Sequence, residues 1–312
     1  MVRRRGSFRP PVLAALLLLL AGACTAAPDP LPPLLDRLGD KSFQERERAD
    51  REIRALAPGR LRALAEAREK AEDLEVQSRL DAVLSCPRLV FADALVREGP
   101  EAVRGEHWFR VEHEELPVGY RRLEILEHEV VFETEGRIQG DYALQRVRYE
   151  LSENLVPRAL QASLYPVWGQ GLFKIEGALG PEGWTLKGKG KEETKDRRVA
   201  WTDRDFPLEM ALAFLPLWAR KGPLGREVVL RSLDLGPEFT KKGNILRDEG
   251  DRVTLRLEGE DKPFLTVFLG PDGRILSMVG SDNLRAVRIT PEEGKRLRES
   301  YAKDRAAIIP PP

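Results

Sequence analysis

HWFRVEHEELPVGYRRLEILEHEVVFETEG, His107 to Gly136, is the stretch on which the fold turns. Its apolar residues recur at every second position: Phe109 and Val111, then Leu123 and Ile125, then Val130 and Phe132. Side chains alternate between two faces only along an extended strand. The texture continues in YALQRVRYEL, where Val147, Tyr149 and Leu151 alternate, and in LFKIEG, GWTLKGKG, DRVTLRLEG, PFLTVFLG, RILSMVG and LRAVRIT. Gly270-Pro271-Asp272-Gly273 reads as a hairpin turn, proline presetting φ and glycine supplying a positive φ. The expectation is a large, curved, mostly antiparallel sheet over residues 105–290. One face is apolar; the other is rich in Arg, Lys and Glu and meets solvent or a loose partner.

One segment inside this region has a different period. PLEMALAFLPLWARKGPLG, Pro207 to Gly225, is apolar almost all round, as a buried helix is. A helix is expected over 207–220, with Pro216 kinking or ending it. A C-terminal helix over 291–306 follows Thr290, an N-cap type, with Glu292 and Glu293 placed to suit the helix dipole. Residues 307–312 read as a disordered tail. The fold class is therefore α+β, with the sheet packed on the hydrophobic helix.

Outward from the sheet, the N-terminus has the parts of an export signal. Arg3, Arg4 and Arg5 precede a short apolar run from Val12 to Leu20 and the small residues Ala21-Gly22-Ala23. The run is shorter than the roughly 20 residues of a membrane span. Residues 1–23 are read as a signal peptide and 24–33 as a linker. Two processing routes fit. Ala21-x-Ala23 suits a signal peptidase cutting before Cys24. Leu20-Ala21-Gly22-Ala23-Cys24 resembles a bacterial lipoprotein box, with Ala21 where that pattern prefers Leu; this resemblance implies lipid attachment at Cys24.

Residues 34–86 are read as a helical module. Ser42-Phe43-Gln44-Glu45 has the capping-box pattern. Pro58-Gly59 and Glu72-Asp73 separate helical runs, and Cys86-Pro87 ends the last. From Leu34 to Leu84 the order of short helix, acidic turn, Ser-Phe, charged helix, Leu-x-x-Pro-Gly and a helix closing on Asp-Leu-Glu-Val resembles a HEAT-type repeat and a half. Arrays need about three such units to stand alone, so docking on another element is expected. A plain helical bundle fits the same residues.

Trp108 to Ile125, with its alternating strand, polar turn, Val-Gly-Tyr and second strand, is similar to the opening of β-rich exported envelope domains. Such domains occur ahead of transglutaminase-like domains and look like the lipoprotein-carrier (LolA/LolB-like) half-barrels. Ile175-Glu176-Gly177, the hydrophobic helix and Pro271-Asp272-Gly273 extend the resemblance to about Arg298. It implies a sheet curved round a helix, with a cavity for an acyl chain in some members.

Composition excludes several classes. Lys+Arg and Asp+Glu are both 51 in 312 residues, so no global field draws the chain to nucleic acid. Two cysteines, Cys24 and Cys86, exclude a disulfide scaffold. Gly183 to Gly190 has phosphate-loop spacing, but Gly190 stands where the loop needs Ser or Thr, and the segment reads as a strand. His107 and His113 share a strand face among glutamates and read as solvated surface, as does His128. Cys86 reads as a buried apolar residue. With 51 acids, pairs such as Asp203/Asp205 and Glu292/Glu293 carry no specific signal. No catalytic residue, metal site or cofactor is assigned. Trp168, Phe173, Phe206, Phe214 and Trp218 are either core or the lining of an apolar cavity.

The leading functional reading is a non-enzymatic exported protein of a bacterial envelope, anchored through Cys24, with a binding or structural role. Its partners would be the membrane and an apolar ligand or envelope protein. The second reading is a lipid or lipoprotein carrier with its cavity in the curved sheet. A hydrolase with an unrecognised site is third.

Overall fold

The structure is a computed structural model. It describes residues 29–138, 141–152, 155–165, 171–190, 194–202, 205–221, 227–236 and 239–308. Fourteen strands form one sheet: β1 Gly105–His113, β2 Leu116–Ile125, β3 Glu129–Ile138, β4 Asp141–Leu151, β5 Pro157–Tyr165, β6 Phe173–Gly180, β7 Gly183–Lys189, β8 Thr194–Val199, β9 Glu227–Leu233, β10 Lys241–Asp248, β11 Arg252–Leu257, β12 Leu265–Leu269, β13 Ile275–Gly280 and β14 Arg285–Ile289. Each strand neighbours its predecessor except β9, which does not pair β8, and β1 also pairs β14, giving the order 8-7-6-5-4-3-2-1-14-13-12-11-10-9. Every ladder is antiparallel.

The two edge strands, β8 and β9, are consecutive in the chain, and the helix Leu208–Lys221 lies between them. The sheet curls until its two wings face each other across that helix. Phe173 on β6 and Phe239 beside β10 bring their rings within 6.3 Å. Gly119 and Gly136 face each other on β2 and β3, where the two backbones approach closely. A Cβ on Gly119 would sit 2.3 Å from the Glu135 carbonyl oxygen, so only glycine lets these backbones approach.

Helices α1 Leu31–Leu38, α2 Phe43–Leu56, α3 Leu61–Lys70, α4 Leu74–Leu84 and α5 Pro87–Glu98 precede the sheet. Two sequence expectations change here. Ser42 makes no side-chain cap bond; Asp40 instead accepts the Ser42 N–H at 2.7 Å. Cys86-Pro87 ends one helix and also starts another, because proline fits the first helical position, where no N–H is needed. Asp73 caps α4 by accepting from Glu75 and Val76 N–H. The buried Asp93 of α5 accepts the Leu61 N–H at the start of α3, at 3.2 Å.

The hydrophobic helix is α6, Leu208–Lys221. Met210, Ala211, Ala213, Phe214 and Leu215 are buried in the trough of the sheet. The helix runs through Pro216 rather than ending there. Packing on both sides outweighs the one backbone bond that proline removes. Its lead-in is fixed by Asp205, which accepts from Thr202 Oγ1 at 2.6 Å and Lys241 Nζ at 2.7 Å. Phe206 N–H also donates to the Arg231 carbonyl of β9. One continuous apolar core joins α1–α5, α6 and the inner sheet face.

Two C-terminal helices, α7 Pro291–Ser300 and α8 Ala302–Ile308, cover part of the outer face. Thr290 caps α7 as its sequence suggests, accepting the Glu293 N–H. That face is therefore not left wholly to solvent or a loose partner. Gly294 of α7 lies flat on Trp108, where a Cβ would meet the indole at 2.3 Å. Glu133 and Glu135, pointing outward from β3, are both buried beneath these helices.

Candidate functional site

Two clefts flank the first turn of α6. One, of about 540 Å³, is walled by Leu144, Leu164, Tyr165, Leu233 and Leu235. The other, of about 310 Å³, is walled by Val111, Phe132, Leu212, Phe264 and Met278. Gln145, Leu208 and Glu209 line both. Both volumes fall among those of small-ligand pockets, about 300–1,000 Å³. The curl of the sheet makes this site, since β4 and β5 are many strands from β9 in the ladder and still face it across α6.

Polar side chains are interspersed with the apolar ones along this trough. Glu209 is buried and accepts from the Tyr149 hydroxyl at 3.2 Å. Burial raises its pKa above the usual carboxylate range, and the nearby Asp234 charge adds to the rise. The Tyr149 hydroxyl is likewise pushed up, by burial and by Glu209. Arg121 enters the second cleft from β2. Its Nε donates to Thr134 Oγ1 at 3.2 Å, and its guanidinium lies 5.3 Å from the Phe132 ring centre.

Glu209 carries a stability consequence with a definite sign. An acid whose folded pKa is raised is harder to ionise folded than unfolded. Wild-type stability therefore falls as pH climbs from about 4.5, the ordinary value, through the raised folded value. Glu209→Gln keeps an acceptor for Tyr149 and removes the ionisation. It should raise the melting temperature at pH 7 and leave it unchanged near pH 3.5. The gain is about 1.4 kcal/mol per tenfold change in proton affinity. Equal melting temperatures for the two proteins at pH 7 would defeat this account.

At the other end of the trough, His107 departs from its expected solvated position. It lies in a small cleft with Arg274, Arg288 and Leu212. Its Nε2 lies 3.2 Å from the Val103 carbonyl, and its Nδ1 is 3.4 Å from Arg288 Nη2. An N–H on Nε2 and a lone pair on Nδ1 satisfy both contacts, so the ring is read as neutral. Burial lowers its pKa, and the Arg288 and Arg274 charges act in the same direction.

The aromatic residues singled out from sequence do not form one lining. Phe206 and Phe214 are fully packed, 5.0 and 6.2 Å from the ring of Phe91 on α5. Phe173 pairs with Phe239 over Gly188. Cys24 and Trp168 lie outside the described residues, as does the side chain of Trp218. Sequence reasoning passed over Arg121 and Glu209, although each left a signal. Arg121 falls in phase with Leu123 and Ile125 on the apolar face of its strand, and Glu209 interrupts an otherwise apolar helix.

Other chemistry is accounted for structurally. Cys86 is buried at the start of α5. Gly183–Lys189 is a strand between β6 and β8 with no helix after it, unlike a phosphate loop. Glu293 pairs with Arg110 at 3.0 Å. Among the described residues no group of three or more His, Cys, Asp or Glu could hold a metal, and no helix is long and apolar enough to cross a membrane.

No family model matches the chain, and no curated protein matches it. Among solved structures it is similar to a crystal structure of a DUF1089 family protein from Pseudomonas aeruginosa. The TM-score is 0.35 and the identity 9%, over 51% of this chain and 88% of that one. At that score the likeness bears on neither fold assignment nor function.

Proposed function

We propose that the protein is a non-enzymatic binding protein of a bacterial cell envelope, holding a small apolar or amphipathic ligand between α6 and the curved sheet. The observation that carries this is the pair of clefts sharing one wall of α6, the larger of them mainly apolar. The polar side chains around them are engaged in ways that suit binding better than turnover. Glu209 is held by Tyr149, both ring nitrogens of His107 are occupied, and Cys86 is buried at a helix start. In this reading residues 1–23 direct export and Cys24 carries the lipid anchor. Helices α1–α4 are a HEAT-like segment whose neighbour is the sheet domain instead of further repeats.

Native mass spectrometry and solvent extraction of the protein purified from envelope membranes test the ligand. A stoichiometric apolar molecule is expected, and Ala143→Trp, which fills the larger cleft, should lose it while circular dichroism is unchanged. A ligand-free wild type that also takes up no added apolar probe would sink the reading. Intact mass of the same sample should show a diacylglycerol-modified Cys24 as the first residue. Transfer of the ligand between vesicles would instead favour a carrier.

A further inference from the structure

The two adjacent arginines of β2 have opposite surroundings. Arg122 points outward and pairs with Glu106 at 2.8 Å and Glu124 at 2.5 Å. Arg121 points inward, opposite Phe109 of β1, and has no such partner. Its contacts are the Thr134 hydroxyl, the Met278 sulfur at 3.8 Å and the face of Phe132. Among the described residues, no carboxylate lies within ion-pair distance of it. Asp282, the acid whose charge reaches it, is exposed at the rim of the cleft and accepts the Leu284 N–H at 3.2 Å.

An arginine does not give up its proton in a protein. The half-buried guanidinium, beside Val111, Phe132, Leu212 and Met278 in a cleft that also holds Gln145, Glu209, Ser281 and Asp282, therefore remains a cation. Such a charge is costly unless something pairs it. Thr134 and Met278 occupy Nε and Nη1, and among the described residues Nη2 has no hydrogen-bond partner. One cation with part of its fork open matches a monoanionic head, whereas phosphate sites gather several donors. Gln145 and Leu208 connect it to the larger cleft, where Ala143, Leu144, Leu164, Leu233 and Leu235 offer an apolar wall, with Asp234 and Lys242 also on the lining.

We infer that Arg121 is the anchor for the carboxylate of a fatty acid, whose alkyl chain runs along the first turn of α6 into the larger cleft. This rests on the reading of the trough as a ligand site. Glu209, shared by both clefts, is engaged by the Tyr149 hydroxyl, and burial raises its pKa.

Titration calorimetry at pH 8 with dodecanoic acid and with dodecan-1-ol separates head from tail. The wild type should bind the acid about 10- to 100-fold more tightly than the alcohol, the range of a charge-assisted hydrogen bond. Arg121→Met should abolish that preference and keep the alcohol's affinity. Arg121→Lys, which keeps the charge, should retain most of it. Without ligand, Arg121→Met should also melt higher than the wild type, because the unpaired cation is gone. Equal wild-type affinity for acid and alcohol, or an unchanged preference in Arg121→Met, overturns the anchor while leaving the trough a binding site. Binding of neither probe overturns the trough reading itself.

Discussion

Glu135→Ala should cost about 3 kcal/mol and release the C-terminal helices from the sheet. Glu135 is buried to 1% exposure on the outer face of β3. It accepts from the Tyr120 and Tyr142 hydroxyls at 2.5 Å each, and from Arg305 Nη2 at 2.6 Å. Removing it leaves the Tyr142 phenol without its acceptor and Arg305 with only the Arg298 carbonyl, and stranded buried groups cost more than a lost hydrogen bond. Glu133 makes the parallel link: it accepts from Arg298 Nε at 2.9 Å and lies within reach of the single Tyr120 O–H, which it shares with Glu135. Exposed ties such as Arg137–Asp304 remain, but pairs of that kind contribute little. Trypsin should therefore cut faster between Lys295 and Arg305 in the variant, and the melting temperature should drop. An unchanged cleavage rate would show that the remaining ties, Glu133–Arg298, Arg110–Glu293 and the Trp108–Gly294 contact, hold α7 without Glu135.

Phe91→Ala should cost about 3–5 kcal/mol, the range for truncating a buried phenylalanine. Phe91 has no exposed surface. Its ring stacks on Phe206 at an interplanar angle of 22° and also approaches Phe214. It joins α5 to the lead-in and body of α6, the place where the helical segment meets the sheet's core. Loss of the ring opens a cavity at that junction. Calorimetry should then resolve two transitions, with α1–α5 melting first, where the wild type shows one. A single transition with a small drop in midpoint would mean that the junction rests on other contacts.

Much of the fold was legible because alternation and all-round hydrophobicity are local signals. Phe109 and Val111, or Val147, Tyr149 and Leu151, announce strands without reference to anything distant. The apolar run from Leu208 announces a buried helix in the same way. Helix α5 escaped notice because Pro87, taken as a stop, is also a start. The outer face was misjudged for a related reason. Charged residues at alternate positions look solvated, and nothing near Glu133 or Glu135 in sequence indicates that Arg298 and Arg305 will cover them.

The candidate site was legible only in part. The sequence placed the right helix at its centre but chose its aromatics. Phe206 and Phe214 instead make the junction with α5. The groups that distinguish the trough are polar, and an isolated Arg or Glu on an apolar face does not reveal its partner before the strands are paired.

The sequence by itself determined that residues 105–290 form antiparallel strands around one buried helix, since side-chain period is a property of neighbouring residues. Only the tertiary structure decided that β1 joins β14, that the Gly119 and Gly136 backbones come close, and that Arg121 has no carboxylate within ion-pair distance among the described residues. The first of these pairs residues more than a hundred positions apart. Whether a charge ends up paired, solvated or stranded is settled by what packs against it, and local sequence does not carry that information.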